Sequence, residues 1–473
     1  MTSKDIEDLL TELKNSVWIQ DGKLEIKSES VLRENIHHLA EISALESGSR
    51  QALARYLTRS IAQKMGIFPA SINDLYLARG RGEIPPTFTV PAINLRALTF
   101  DAARTVFRAA LPIDAGAFIF EIARSEMGYT DQRPAEYVTS VLAAAIAENY
   151  RGPVFIQGDH FQVSPKRFIS DKDTELQAVR DLIVESIAAG FFNIDIDTST
   201  LVDLSKETIP EQQSLNTSLS AMYTAYIRSL EPSGVTISVG GEIGEVGGHN
   251  STEAELCAYM DGYTEALEAL DPGKVGISKI SVQTGTSHGG VVLPDGSIAK
   301  VDVDFDTLLK LSEVSRKEYG LGGAVQHGAS TLPEDAFGKF VESQAVEVHL
   351  ATNFQNMLFD RLPEELRNKM YAWLDEKNAS ERKPGMTDEQ FYYKTRKNAI
   401  GPFKKQTWEM PAKTKKEIGQ AWEAQFSRLF RSLGVTGTRI YVDSTIKPVM
   451  VKPDLDYYLG KEKSEEDVSD LAD

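Results

Sequence analysis

The chain has 473 residues, 41% of them hydrophobic, with 51 Lys and Arg against 69 Asp and Glu and a formal net charge of -18. An apolar fraction near the globular average excludes wholesale disorder, and the acidic balance, unrelieved by any basic run, argues against nucleic-acid backbones and anionic membrane surfaces as partners. One cysteine, Cys257, cannot form an internal disulfide, no apolar stretch reaches about 18 residues, and the opening residues alternate charged and apolar side chains, so a soluble cytoplasmic protein is expected.

Residues 4–57 read as amphipathic helices: Ile6, Leu9, Leu10 and Leu13 fall at helical spacing, and Val31, Ile36, Leu39 and Ile42 continue it. A helical cap or oligomerisation arm explains such a segment. The run RGRGEIPP at 79–86 breaks the pattern and marks a junction. Beyond it, short β-branched or apolar runs alternate with helix-like stretches: 87–95, 117–123, 154–157, 193–197, 236–239, 277–283, 324–326 and 345–352. Eight βα units with apolar residues at nearly every strand position predict a (β/α)8 barrel, an α/β fold in which helices cover a parallel sheet. A doubly wound open sheet is the alternative, but no GxGxxG fingerprint follows the first strand. After residue 360 the chain turns polar and helical, reaches a loop near 383–387 and a helix at 415–433, then a short β-like piece at 438–442 and an acidic tail. The expected division is a helical extension at 1–85, the barrel with its C-terminal helices at 86–435 and a tail at 436–473.

Histidine is scarce, at seven residues. His37 and His38 lie in the leading helices. His160, His288 and His327 follow strand candidates in the small, polar contexts GDH, GTSHGG and QHGAS, and Glu242 ends a fourth strand in VGGEIGEVGG. In a barrel the carboxyl ends of the strands converge on one face, where active sites are built. Three imidazoles and a carboxylate there suit Zn2+ or another divalent metal with an open position; a metal-free His/Asp/Glu acid–base site is the rival. Glycines beside each candidate ligand, with Ser287, Ser330 and Thr331, suit tight βα turns and also an amide cradle for phosphate.

Taken in order, Asp159-His160, AGFFNIDIDTS, GEIGEVGG, GTSHGG, QHGAS and VHLATN resemble the successive motifs of class II, zinc-dependent ketose-bisphosphate aldolases, over residues 87–433. FEIARSEMGYTDQRPAEY, at the second strand, is similar to the non-catalytic accessory subunits of tagatose-bisphosphate aldolases. The resemblance implies that His160, Glu242, His288 and His327 are zinc ligands, three of them at a time, and that Asp159 exchanges the proton of the aldol step. It implies a carboxylate near the metal at Asp197. Gly289, Gly328 and Ser330 then bind phosphate, and Arg396, in TRKNAIGPF, reaches a substrate phosphate, often from a neighbouring subunit; a homo-oligomer is expected on that ground. The implied mechanism has zinc chelate a dihydroxyacetone-phosphate unit and stabilise its enediolate.

Three positions depart from the pattern. Where the family carries an acidic base two residues after the Gly-Gly of the fifth strand, this chain has His249-Asn250, leaving Glu245, His249 or Glu253 to substitute. The strand-eight asparagine that contacts the dihydroxyacetone portion is His349, and Thr331 replaces a glycine of the phosphate segment. An aldolase acting on a phosphorylated ketose is the expected function. A metal-dependent sugar epimerase or isomerase on the same barrel and a non-catalytic subunit are the alternatives.

Overall fold

The computed structural model describes residues 3–20, 23–244, 248–285, 293, 303–460, 468 and 470–471. Eight parallel strands close into a barrel: β1 (Val90–Asn94), β2 (Ile119–Ala123), β3 (Gly152–Gln162), β4 (Asn193–Asp197), β5 (Ser238–Glu242), β6 (Lys279–Val282), β7 (Ala324–Gln326) and β8 (Glu347–Leu350). Each pairs with the next, and β8 returns to β1 with His349 opposite Ala92, so the (β/α)8 reading holds and the open-sheet alternative falls. The strands are almost wholly buried, as expected when helices cover the outer face and side chains fill the inside.

The crossover helices carry explicit start signals. Thr252 and Glu255 form a reciprocal capping box at the head of Glu253–Leu270, and Thr208 with Glu211 repeats it for Ile209–Leu230. Asp171 caps Lys172–Ala189, which ends at Gly190.

The first 85 residues are not all helical. Helices Ser3–Glu12, Glu29–Asn35, His37–Leu45 and Ser49–Lys64 match the amphipathic reading, but Val17–Gln20 and Lys23–Ile26 form an antiparallel pair with Val17 opposite Ile26. Four-residue strands are too short to interrupt a helical period read over a long window. A further strand, Ile67–Ala70, pairs in parallel with the lower half of β3, below the point where β4 begins. The Asn193 side chain stitches this seam, donating to Ala70 O (3.1 Å) and Ile156 O (3.0 Å) and accepting from Ile72 N (2.8 Å). Leu9, Leu39, Leu57 and Ile67 share one hydrophobic core with the barrel.

Helix Asn73–Gly80 makes the closest of these contacts. A Cβ at Gly80 would lie 2.1 Å from Gly320 O and 2.7 Å from Leu321 O, both backbone atoms that cannot step aside. Gly80→Ala is therefore expected to lower unfolding stability by about 1–3 kcal/mol or more through overpacking, despite alanine's better helix propensity. Urea unfolding checks this, and an unchanged midpoint would show that the helix can move off the barrel.

The β-like piece at 438–442 is instead helical, within Arg439–Thr445. Thr438 Oγ1 accepts from Gly116 N and Ala117 N at 3.1 Å each, Val442 is buried, and Tyr441 stacks on Phe88 at 5.8 Å. That packing overrides the local β preference of Thr, Ile, Tyr and Val.

Candidate active site and metal centre

β3 supplies two consecutive functional residues, Asp159 and His160. Successive strand residues normally face opposite sides, but the pairing of β3 with β4 slips between Gly158 and Phe161, so three steps on β3 match two on β4. At this bulge His160 adopts φ +40°, a left-handed conformation that is costly for a residue with a side chain. Both Asp159 and His160 thereby end up buried at the carboxyl end of the barrel.

His160 Nδ1 lies 3.2 Å from both Asp197 Oδ2, the last residue of β4, and Glu242 Oε2, the last of β5. Its Nε2 is 3.1 Å from Nδ1 of His327, which follows β7 and whose Nε2 is 3.0 Å from Ser281 Oγ on β6. The rings of His160, His327 and His349 form a column with centroids 4.4 and 4.1 Å apart. His160, Glu242 and His327 each offer a ligand atom within 4.8 Å of the others.

This donor set fits a divalent metal. Zinc holds nitrogen and oxygen ligands at about 2.0–2.2 Å, which spaces tetrahedral donors about 3.3–3.6 Å apart, and the 3.1 Å between His160 Nε2 and His327 Nδ1 lies near that spacing. Asp197, which also accepts from Gln162 Nε2 (2.7 Å) and Ser199 Oγ (2.7 Å), orients the ring by its contact with Nδ1. Burial opposes a charge on His160, but Asp159 and Glu242 outweigh it and hold the imidazole well above its usual range.

Asp159 is held by one oxygen. Oδ2 accepts from Asn94 Nδ2 (3.0 Å), whose other amide proton goes to Glu126 Oε2 (2.9 Å), and Glu126 Oε1 accepts from Arg96 Nε (2.6 Å). Oδ1 lies 3.2 Å from His349 Nδ1, on the side facing the barrel axis histidines. Burial pushes this carboxyl up, yet His160 and His349 more than offset it and keep Asp159 well below the ordinary carboxylate range, ionised at neutral pH.

Beneath lies a network that the sequence reading left out. Lys279, on β6, is 1% exposed; its Nζ donates to Glu347 Oε1 (2.5 Å), Gln157 Oε1 (2.8 Å) and Asp195 Oδ2 (2.9 Å). Gln157 Nε2 in turn donates to Glu121 Oε2 (2.9 Å) and Glu347 Oε1 (2.8 Å), and the Tyr76 hydroxyl donates to Glu347 Oε2. Gly240 makes room for the ion pair, since a Cβ there would stand 2.3 Å from Asp195 Oδ1 and 2.9 Å from Lys279 Cε. Burial disfavours charge on Lys279, but Asp195 and Glu347 push it up to about 12. The same lysine, with His349, overcomes burial at Glu347 and holds it at about 2, whereas burial carries Asp195 up to about 6.

The structure thus brings Asp159, His160, Asp197, Glu242, His327 and His349 together. Gly328 and Ser330 follow His327 directly, with Ser330 buried. His288, Gly289 and Glu245 lie outside the described residues. Arg396 is packed among the C-terminal helices of its own chain, donating to Asn356 Oδ1, with its guanidinium over Tyr393 (4.5 Å) and Phe359 (5.1 Å). His249 is exposed beside Glu255 at 3.9 Å, Glu253 pairs with Lys310 at 2.7 Å on the surface, and Asn250 donates to Asp304 Oδ2 at 3.1 Å.

Asn94, Arg96, Glu121, Glu126, Asp195, Lys279 and Glu347 were missed. For Glu121, Asp195, Lys279 and Glu347 the signal was present: IFEIA, NIDID, KISV and EVHL each carry a charge inside an apolar strand, where only a barrel interior can pair it.

The chain matches the sequence profile described as fructose-bisphosphate aldolase class-II over residues 86–421. It belongs to the class-II fructose-bisphosphate aldolase family. Family membership makes the chain an aldolase-type barrel, and members of this family depend on a metal, for which the buried donors here are suited. No curated protein matches it. Among solved structures, the fructuronate-tagaturonate epimerase UxaE from Cohnella laeviribosi aligns at 11% identity and TM-score 0.53, covering 89% of this chain and 90% of its own. A probable tagatose 6 phosphate kinase from Sinorhizobium meliloti 1021 aligns at 15% identity and TM-score 0.51, covering 75% and 99%. Fructose-bisphosphate aldolase from Campylobacter jejuni aligns at 15% identity and TM-score 0.46, covering 79% and 96%. The first two likenesses bear on the fold. Among the described residues no helix is long and apolar enough to cross a membrane.

Proposed function

We propose that this member of the family breaks and forms the carbon–carbon bond of a phosphorylated ketose, with zinc as its metal and further copies of the chain as its partners. The observation that carries the reading is the ionised Asp159, its Oδ1 3.2 Å from His349 Nδ1, set beside the donors His160, Glu242 and His327. A divalent ion on those donors supplies Lewis-acid polarisation of the ketose carbonyl. Asp159 Oδ1 accepts the proton of the hydroxyl on the carbon β to that carbonyl as the bond breaks, and returns it in condensation. Asn94, anchored through Glu126 to Arg96, fixes the carboxylate so that Oδ1 faces the substrate. Gly328 and Ser330 after β7 stand where barrels commonly seat a phosphate. Arg396 would have to leave its stacked position to reach one.

A coupled assay for triose-phosphate release from fructose-, tagatose- and sedoheptulose-type phosphates tests this. Turnover abolished by a chelator and restored by zinc is expected; release from none of them removes the reading. One observation favours a second outcome. Asn250 stands in place of the family's base and donates to Asp304 Oδ2, while His249 is exposed beside Glu255 and Glu253 pairs with Lys310. An enzyme lacking that base can hold both fragments and rejoin them with inverted configuration, which is epimerisation. Proton NMR showing an epimer without triose phosphate would establish this alternative.

A further inference from the structure

We propose that Ser164 and Arg167, at the rim of the barrel mouth, form a seat for the phosphate at one end of the substrate, and that Asp470, from the chain's own acidic tail, occupies this seat until the substrate displaces it. This rests on the reading of the substrate as a phosphorylated ketose. Ser164 lies two residues beyond β3, the strand that carries Asp159 and His160, and the intervening Val163 donates from its N to Asp197 O (2.9 Å). Asp470 Oδ2 accepts from Ser164 Oγ (2.6 Å) and Arg167 Nε (3.2 Å), and its Oδ1 accepts from Arg167 Nη2 (2.6 Å). Three donors converge on one oxyanion, in the forked geometry with which arginine binds carboxylate and phosphate alike. Burial pushes the Asp470 carboxyl up, but the hydrogen bonds from Arg167 and Ser164 outweigh it and hold the group below its usual range.

The seat belongs to the barrel rim, not to the tail. Ser164 is fully buried; its N donates to Glu175 Oε1 (2.8 Å) and its Oγ accepts from Arg167 N (3.2 Å), which turns the hydroxyl proton toward Asp470. Glu175 is held by Arg124 at 2.7 Å and lies 3.9 Å from Arg167, too far for a hydrogen bond. Asp470 reaches the seat across the catalytic face. Val468 rests on Gly128, where a Cβ would stand 2.5 Å from Val468 Cγ2, and Gly128 belongs to Arg124–Tyr129, the helix that leaves the carboxyl end of β2. β3 and β7 stand four strands apart in a closed ring of eight, so Ser164 faces Gly328 and Ser330 across the metal donors. A ketose lying across the mouth with one phosphate at Gly328 and Ser330 points its other end at β3. Arg396, stacked on Tyr393 and Phe359, is committed elsewhere, and Arg167 supplies the cation at that end.

Crystals of the full-length Asp470→Ala variant soaked in inorganic phosphate test the seat directly. Density within hydrogen-bond distance of Ser164 Oγ and Arg167 supports the proposal, and density only beside Gly328 and Ser330, or none, contradicts it. In solution, calorimetry with inorganic phosphate reads the competition. An occupied seat weakens apparent affinity by the fraction of molecules in which it stands open, so Asp470→Ala should tighten phosphate binding by about 10-fold or more. Adding Arg167→Met should cancel that gain, with circular dichroism verifying the fold of each variant. An affinity unchanged by Asp470→Ala, or a gain that survives Arg167→Met, overturns the proposal. Neither measurement needs turnover, so a protein that takes phosphate at Ser164 and Arg167 yet cleaves no sugar phosphate would overturn the aldolase reading and leave the seat standing.

Discussion

Asp159→Asn is expected to lower the rate of carbon–carbon cleavage by about 10²–10⁴-fold, the range lost with a positioned general base, while the protein still folds and still carries its ion. The amide is nearly isosteric with the carboxylate, and its oxygen can keep the 3.0 Å bond from Asn94. What disappears is the proton acceptor at Oδ1. Asp159 is not one of His160, Glu242 and His327, which offer their ligand atoms without it, so the ion is retained. A loss of kcat with KM little changed is the expected signature. Turnover within a fewfold of wild type would take Asp159 out of the chemistry and move the base to a residue outside those described.

The second large effect concerns the floor of the site. Lys279→Met removes the cation that Asp195, Glu347 and Gln157 share, and is expected to cost about 3–5 kcal/mol of unfolding stability, as for other buried pairs stripped of one partner. Methionine fills the space but leaves Glu347 Oε1 buried among polar groups with no ammonium. Converting the acids as well, in Lys279→Met/Asp195→Asn/Glu347→Gln, should recover much of the loss, because a neutral hydrogen-bonded cluster carries no unpaired charge. Equal stability of wild type and Lys279→Met in urea unfolding would mean that protons already neutralise the acids. If the triple variant is no better than the single one, the lysine acts through packing rather than charge.

Much of this was legible in the chain. All eight barrel strands were found because a buried parallel strand reads as a short apolar run between turn residues, and the βα period repeats eight times. His160, Glu242 and His327 drew attention because polar, metal-competent residues at strand ends have few structural explanations, and the structure brings them together; Asp159 came from the resemblance alone. The bulge that turns Asp159 and His160 to the same side was not legible, since it is a slip of register against β4 and no local motif marks it. Nor was the Lys279 network, whose members are far apart in sequence and meet only when the barrel closes. Glu121 and Glu126 even lie within the run FEIARSEMGYTDQRPAEY, read for its likeness and given no chemistry. The 438–442 segment shows the opposite failure, a local β preference undone by a helix seated on Gly116, where a Cβ would stand 2.8 Å from Arg439 Cα.

Metal analysis of protein purified without chelator, alongside His327→Ala, tests the account at its centre. His327 is one of the three donors His160, Glu242 and His327, so wild type should carry about one equivalent of divalent ion per chain, zinc on this account, and the folded variant almost none. Wild type without any ion, or a variant with unchanged metal content, would contradict it.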